Sequence, residues 1–249
     1  RIYEITVAGN TTMNHLLLGI DPAYVAQAPY VAALQDALDT PASDLGICIH
    51  PRGNVHTLPN IAGFVGGDTV GVILATDLLD ADHVTLAIDI GTNGELVAGN
   101  RERLLSCSTA AGPALEGARI RFGMRAAEGA VDKVVFNQDV ELSVIGNVRP
   151  RGICGTAIID LVAEMLRVGI LDPTGRMRSP DECPPDLPDS LRRRVFEGEN
   201  GFCFLLADES ETDIEGPVFL TQRDVREVQL AKAAIAAGAG ILLKELGVS

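Results

Sequence analysis

The pattern of apolar and polar positions changes period along the chain, and strand-like stretches are separated by helix-like ones. Ile2 to Ala8 has the composition of a strand, and the longer apolar run Val84 to Ile90 is predicted to be a buried strand. Asn93-Gly94 comes next, and this dipeptide is a strong signal for a hairpin. Further strands are predicted at residues 95–98, 103–107, 131–136, 140–145, 202–207 and 218–220.

Apolar residues at helical spacing predict four helices, over residues 11–19, 69–79, 158–168 and 222–246. Asp68 is predicted to cap the second helix after a Gly66-Gly67 turn. The run Thr221-Gln222-Arg223-Asp224 resembles a capping box at the start of the last helix. The segment 172–189 contains five prolines and is predicted to be irregular.

Composition supports an α/β protein. The chain has 249 residues, of which 47% are hydrophobic and only 4% aromatic, and it contains 26 glycines. A chain of this length buries a sizeable core, as one large domain or two modest ones. A core of small and branched side chains suits helices that lie close on a sheet.

The charge balance argues against a nucleic-acid partner. Twenty Lys and Arg stand against 34 Asp and Glu, which gives a formal net charge of −14. A surface of this sign repels phosphate backbones. A bound nucleotide is still compatible with it, because backbone amides and a metal ion can neutralise phosphates locally.

The cysteines predict a reduced, cytoplasmic protein. There are five, an odd number, and they are spread along the sequence without a C-x-x-C pair. This spacing argues against an iron–sulfur or structural zinc site made within the chain. We find no membrane-spanning apolar run and no signal peptide, so a membrane location is not expected.

The segment from Ala87 to Val97 gives the clearest chemical signal. A strand delivers the Asp89 carboxylate into a turn that contains Gly91 and Gly94, where the backbone can approach a ligand closely. The amides of this turn and the Thr92 hydroxyl can hold phosphate oxygens, and Asp89 can orient a metal-bound water. An ordinary hairpin explains the same residues, so this segment alone leaves both interpretations open.

Two further segments carry weaker signals. Asp68 places an acid at a helix start, where capping is the simpler explanation. The run of small residues that includes Gly112 and Glu116 has two interpretations. It wraps the phosphates or ribose of a ligand, or it connects a strand to a helix with Pro113 in the first turn.

A third segment lies just before the helix at 158–168. Gly152, Gly155 and Thr156 surround a predicted helix start, which offers an anion cradle. The segment lacks the Gly-Lys-Ser/Thr sequence of a full phosphate loop, so the pattern is weak when taken alone.

Taken in chain order, these segments resemble the ATPase domain shared by actin, heat-shock chaperones and sugar kinases. The resemblance sharpens to one family, the reductive activators of corrinoid proteins. The segments that carry it are spread over nearly the whole chain and are Val7–Met13, Pro59–Gly66, Ile88–Glu95 and Gln229–Ile235. The resemblance implies an α/β fold with a ribonuclease-H-like core, in which helices flank a mixed sheet.

The resemblance also implies a site for ATP and Mg²⁺. Asp89 would be the ligand of the metal or its water, and Asp68 would be an acid that faces across the cleft. The residues expected to contact the nucleotide are Gly91, Thr92, Asn93 and Gly94, with Gly112, Glu116, Gly152, Gly155 and Thr156 as secondary candidates.

Members of the family use ATP to drive an uphill electron transfer. An iron–sulfur centre in the same polypeptide reduces inactive Co(II) corrinoid to Co(I) on a partner corrinoid protein or corrinoid-dependent methyltransferase. Because this chain lacks clustered cysteines, we expect that centre only in a domain outside it. We leave the oligomeric state open, with a homodimer as one option.

Both ends of the chain look cut, since it opens in mid-strand and stops after a helix. The resemblance places the first phosphate loop upstream of Arg1 and an adenosine loop after Ser249. Residues 1–81 would then be a remnant of the first actin-like lobe, and residues 82–249 most of the second. Such a fragment is expected to be nearly inactive by itself. At Ala157 the family often has a glycine, which weakens the assignment of the adjacent loop.

Three other functions are compatible with the sequence. Two are enzymes or activators of the same superfamily, a small-molecule kinase and a dehydratase activator. The third is a module that docks the corrinoid protein without holding nucleotide. A ferredoxin-like domain upstream in the gene would favour corrinoid activation, and titration with Mg-ATP would separate a nucleotide site from a docking module.

Overall fold

The computed structural model describes residues 1–248, and the chain divides into two compact units. The first unit comprises residues 1–89, 94–109 and the end of the chain from residue 237. The second comprises residues 90–93 and 110–236. The predicted boundary between two actin-like lobes, near residues 81–83, stays a prediction.

The helices are α1 (Thr11–Leu17), α2 (Ala23–Ala26), α3 (Gly67–Ala75), α4 (Gly155–Arg167), α5 (Asp189–Arg193) and α6 (Gln222–Glu245), with 3-10 helices at Ala42–Leu45, Leu78–Asp80 and Pro113–Glu116. The strands are β1 (Glu4–Val7), β2 (Leu38–Pro41), β3 (Asn54–Thr57), β4 (Thr85–Ile90), β5 (Gly94–Asn100), β6 (Arg103–Thr109), β7 (Ala130–Phe136), β8 (Val140–Val144), β9 (Gly152–Ile153), β10 (Val195–Gly198), β11 (Gly201–Ala207) and β12 (Val218–Thr221).

The first unit contains two three-stranded sheets. In one, β3 lies between β1 and β2 and runs parallel to β1 and antiparallel to β2. In the other, β5 lies between β4 and β6. The predicted helix after β1 is confirmed: the Asn10 side chain accepts a hydrogen bond of 2.9 Å from the Met13 amide and so fixes the start of α1.

Strand β4 is exposed, and the prediction that Val84 to Ile90 is a buried strand is wrong about burial. Leu86, Ile88 and Ile90 expose 36%, 42% and 49% of their surface. Because side chains alternate along a strand, these three lie on one face of β4, and that face is uncovered within residues 1–248. On the opposite face, Ala87 packs against the apolar cluster that contains Ile73 and Val97. The central strand β5 is the buried one, and its Leu96 is fully covered.

Helix α3 begins two residues earlier than predicted, at Gly67, so Asp68 is not its cap. Gly66 occupies the capping position, and Asp68 lies in the first turn, where its side chain accepts a hydrogen bond from the Thr69 amide (2.8 Å). The helix also ends before Leu79. Asp77 adopts the left-handed conformation (φ 51°), which stops helix propagation.

The second unit is built around a large apolar core. Strand β7 pairs with β8 in antiparallel and with β9 in parallel orientation, and β10, β11 and β12 form an antiparallel sheet. The predicted hairpin of β7 and β8 is confirmed, as are β11 and β12. Strand β10 and helix α5 were not predicted, because both are short and lie in a polar stretch around residues 189–198.

Helix α4 covers β7 and supplies the centre of this core. Its buried side chains recur at helical spacing and are Ala157, Ile158, Leu161, Val162 and Met165. Acidic side chains of α4 accept hydrogen bonds from amides of β7 that lie beyond the short strand β9. The Asp160 carboxylate accepts from the Val134 amide (3.2 Å), and the Glu164 carboxylate accepts from the Phe136 amide (2.9 Å). The helix therefore contributes both apolar burial and edge protection.

The remaining predictions for this unit also hold. Pro113 occupies the first turn of a 3-10 helix, as the connecting-segment interpretation expects. The segment 172–188 contains no helix or strand. Thr221 and Asp224 exchange capping hydrogen bonds at the start of α6, and Asp224 is 1% exposed. None of the helices formed by residues 1–248 is both long enough and apolar enough to cross a lipid bilayer.

Truncation of the α4 core should separate buried from exposed positions on one helix. Leu161 is fully buried, so Leu161→Ala is expected to lower the free energy of unfolding by about 2–5 kcal/mol. Leu166 lies on the same helix and is 43% exposed, so Leu166→Ala is expected to cost less than about 1 kcal/mol. Urea unfolding followed by circular dichroism measures both. Equal losses for the two variants would contradict this description of the core.

Candidate functional site

The turn between β4 and β5 holds the predicted phosphate contacts. Within it the Gly91 amide donates to the Asn93 carbonyl (2.9 Å), so that amide is already engaged. The Thr92 hydroxyl donates to the Glu116 carboxylate at 2.5 Å. This bond brings together two segments that the sequence suggested separately, and Thr92 and Glu116 belong to the same compact unit.

Two predicted acids influence a third acid of the first unit. Burial raises the pKa of Glu95 above its ordinary value, although a hydrogen bond of 3.0 Å from the Ser108 hydroxyl lowers it. The negative charges of Asp68 and Asp89 raise the same pKa further. The two predicted acids therefore share their surroundings with a third acid that the sequence reasoning gave no role.

A cleft of about 570 Å³ in the second unit brings three of the other predicted residues together, whereas Gly112 and Gly152 do not line it. Glu116, Gly155 and Thr156 line it, and so do Arg125 and Asp132, which the sequence reasoning missed. Helix α4 begins at this cleft, and its capping residue makes no side-chain hydrogen bond to the first turn. The first-turn amides and the helix dipole therefore favour an anion here.

Asp132 has an unsatisfied oxygen in this cleft. Its Oδ1 atom is buried and has no hydrogen-bond partner within residues 1–248, while its backbone carbonyl accepts from the Thr156 hydroxyl (2.7 Å). A buried oxygen without a donor is costly unless a cation or water completes it. The cleft therefore combines donors that suit a phosphate with an acid that suits a cation.

Two of the predicted glycines, Gly152 and Gly155, allow close packing of the backbone near the cleft. Gly155 lies so close to the Leu115 carbonyl that a Cβ atom would be 1.9 Å from its oxygen. Gly152 is buried, and a Cβ there would be 2.6 Å from the Phe122 carbonyl oxygen. Gly112 has open space around it and a φ of +80°, which favours glycine. The Gly94 carbonyl accepts from the Thr109 hydroxyl (3.1 Å).

A metal ion would need ligands beyond the side chains described here. In the part of the chain that the structure covers, no three His, Cys, Asp or Glu side chains are arranged to hold an ion on their own. Mg²⁺ usually binds through one or two carboxylates plus phosphate oxygens and water. The acids at both places fit that mode of binding, in which the nucleotide supplies part of the coordination.

The residues missed by the sequence reasoning differ in the signal they left. Glu95 falls inside the segment Ile88–Glu95 that carries the family resemblance, but no role was predicted for it. Asp132 interrupts the apolar strand β7 directly after the buried residue Val131, and an acid at such a position indicates a special role. Arg125 lies in a loop whose sequence carries no comparable mark.

The raised pKa of Glu95 predicts a pH-dependent stability. An acid with a raised folded-state pKa contributes stability that is present below its ordinary pKa of 4.5 and is lost as the pH rises through the folded value. Glu95→Gln stays neutral and keeps an acceptor for Ser108. We expect this variant to unfold at higher urea concentration than wild type at pH 7, with the difference shrinking as the pH falls towards 4.5.

Glu102→Gln is the matched control, because Glu102 is exposed at the turn between β5 and β6. Its stability relative to wild type should change little over the same pH range. If the two variants showed the same pH dependence, Glu95 would not have a raised pKa.

Comparisons with known proteins identify the family of this chain. A family described as "C-terminal domain of RACo the ASKHA domain" matches residues 83–249, and one described as "RACo middle region" matches residues 1–81. A corrinoid activation enzyme, RamQ of Eubacterium limosum, is 38% identical over 99% of this chain and 41% of its own length. A [Co(II) methylated amine-specific corrinoid protein] reductase of Methanosarcina barkeri is 29% identical over 76% of this chain and 34% of its own length.

The fold is shared with a solved structure. A reductive activator for a corrinoid, iron–sulfur protein superposes with a TM-score of 0.83 and 39% identity, covering all of this chain and 38% of that one. The predicted actin-like α/β fold is thereby confirmed, and the chain spans about two fifths of the length of the relatives that match along all of it. The chain belongs to the RACo family of corrinoid activators and comprises its middle region and its C-terminal ASKHA domain.

Proposed function

We propose that this chain is the nucleotide-binding part of an ATP-dependent reductive activator, which returns inactive Co(II) corrinoid to Co(I) on a partner protein. The observation that carries the proposal is the position of Asp89 near the end of β4, just before the Gly91–Gly94 turn. The charges of Asp68 and Asp89 also raise the pKa of Glu95, after the larger effect of burial, and a bound cation would offset that repulsion. RamQ is a corrinoid activation enzyme and the Methanosarcina barkeri relative is a Co(II) corrinoid protein reductase, and both functions support the proposal.

In this proposal Asp89 holds the metal ion or its water, and Asp68 is the second acid of the site. Backbone amides of the Gly91–Gly94 turn, other than the Gly91 amide, would donate hydrogen bonds to the phosphate oxygens. Bound Mg²⁺ would neutralise phosphate charge and polarise the phosphoryl oxygens. Glu95 would respond indirectly, because a cation that offsets the charges of Asp68 and Asp89 would also lower the pKa of Glu95.

The cleft of the second unit is by itself a candidate for binding phosphate. Its anion-binding groups are Arg125 and the amides at the start of α4. The hydroxyl of Thr92 is held by Glu116 at 2.5 Å, and it would exchange that partner for a phosphate oxygen. The carboxylate of Glu116 would then be free to accept a hydrogen bond from water.

Electron transfer itself requires groups outside this chain. The five cysteines are free thiols, and those at 154, 183 and 203 are buried. We therefore assign the iron–sulfur cluster to another domain of the activator and the corrinoid to a partner protein or methyltransferase. Free, buried thiols also fit a reducing compartment, and we propose the cytoplasm.

Replacing Asp89 tests the site in a full-length activator that carries this chain. Asp89→Asn is nearly isosteric and removes the charge that would hold the cation. We expect ATPase activity to fall by about 10²-fold or more, because one electrostatic contact in the transition state is lost. ATP-dependent corrinoid reduction should fall in parallel, and phosphate release and the Co(I) absorption band measure the two.

Asp181→Asn is the control, because Asp181 is exposed and lies in the irregular 172–188 segment. It should leave both rates within about twofold of wild type. Equal ATPase rates for folded Asp89→Asn and wild-type protein would remove Asp89 from the site. Titration of this chain with Mg-ATP gives a second measurement, since a docking module without a nucleotide site would give no saturable signal.

A further inference from the structure

A second cleft, of about 670 Å³, lies in the 110–236 unit. One face of the β10-β11-β12 sheet forms its floor, and residues 119–121 and the first turn of α6 form its walls. It shares no lining residue with the cleft that contains Glu116 and Thr156. The proposed nucleotide site gives this second cleft no role. Its volume lies in the range of small-molecule sites.

The floor is aromatic, although it is the sheet face turned away from the core. Phe196 pairs with Cys203 across β10 and β11, whereas the neighbouring Phe204 is fully buried on the opposite face. The rings of Phe196 and Phe219 are 5.4 Å apart at an angle of 79°. Phe122 packs against the core and lies 4.9 Å from the ring of Phe219. Phe196 and Phe219 are the two rings that line the cleft, and neither belongs to the core cluster of this unit.

Two glycines lie at one end of the floor. Gly198 and Gly201 pair with each other at the tip of the β10-β11 hairpin, and both line the cleft. The Cys203 sulfur fills the space where a Cβ atom of Gly198 would lie, whereas a Cβ atom of Gly201 would have no neighbour closer than 3.7 Å, so the backbone of Gly201 is the accessible part of this end. Glu199 lies at the same tip and is exposed.

Three arginines surround this floor. The Arg121 guanidinium lies 5.0 Å from the centre of the Phe219 ring, a distance typical of a cation–π contact. Neither Arg121 nor Arg223 has a carboxylate within ion-pair distance anywhere in residues 1–248. Arg119 has only a long contact of 3.8 Å to Glu227.

The nearby acid Asp224 does not neutralise these arginine side chains. It is buried, and its two oxygens accept hydrogen bonds from the Arg121 amide (3.0 Å) and from the amide and hydroxyl of Thr221 (2.8 and 2.7 Å). Asp224 therefore fixes the backbone that carries Arg121. In a chain with a net charge of −14, guanidinium groups without carboxylate partners that converge on one cleft favour an anion from outside.

We propose that this cleft binds a phosphate monoester attached to a flat apolar group. The flat group would lie on Phe196 and Phe219 and extend over the backbone of Gly201. The phosphate carries up to two negative charges and three acceptor oxygens, which suit several guanidinium groups at once. A neutral aromatic compound or free phosphate would use only half of the site.

Three probes test both halves of the cleft on the 249-residue chain: 1-naphthyl phosphate, 1-naphthol and inorganic phosphate. Calorimetry should give one saturable site for 1-naphthyl phosphate, with affinity about tenfold or more above that of either other probe. The amide NMR signals of Gly198 and Gly201 should shift during this titration. Absence of saturable binding, or shifts confined to the Gly155–Thr156 cleft, would overturn the proposal.

Paired charge variants supply the control. Arg121→Gln/Arg223→Gln should weaken binding of 1-naphthyl phosphate by about tenfold or more, since charge-assisted hydrogen bonds are lost. Arg149→Gln/Arg193→Gln removes the same charge at exposed positions that do not line the cleft, and it should leave the affinity within about twofold. Equal weakening by both variants would mean general charge attraction only.

A floor variant separates the two contributions. Phe196→Leu keeps an apolar side chain and should weaken 1-naphthyl phosphate while leaving the weak binding of inorganic phosphate unchanged. If the two probes lost affinity equally, the aromatic floor would have no part in recognition.

Discussion

The contact between Gly155 and the Leu115 carbonyl is the constraint on which the second unit depends. Any side chain at position 155 would overlap that oxygen, so only glycine lets helix α4 start directly beneath the 3-10 helix. From this start, α4 presents Leu161 and Met165 to the core. The same contact brings the first-turn amides of α4 beside Glu116. Core packing and the candidate phosphate cleft thus follow from one close approach of two backbones.

Electrostatics distinguish the two clefts of this unit. Arg151, Arg176 and Arg194 pair with acids, at Nη or Nε to oxygen distances of 2.5 to 2.9 Å. Arg121 and Arg223 have no carboxylate within ion-pair distance in residues 1–248, and both line the cleft that has the aromatic floor. Their charges are therefore available to the anion that we propose for this cleft.

The exposed strand β4 has a related significance for the first unit. Leu86, Ile88 and Ile90 form an apolar row on one face, which is typical of a strand face covered by other elements, whereas Asp89 lies on the opposite face. Within residues 1–248 it is an edge strand and stays exposed, yet it carries Asp89 into the phosphate turn. The backbone that positions the proposed metal ligand therefore has less packing support than β5, which carries Glu95 from the centre of the same sheet.

The sequence by itself determined most of the elements and the family. Period, capping residues and turn dipeptides are local signals, so α1, the β7-β8 hairpin and the capped start of α6 followed directly from them. The exposure of β4, the start of α3 and the surroundings of Glu95, Asp132 and Arg125 were decided by tertiary structure. Each depends on which distant groups share a space: no element covers one face of β4 within residues 1–248, and burial raises the pKa of Glu95. No window of sequence contains those distances, because folding alone brings the groups together.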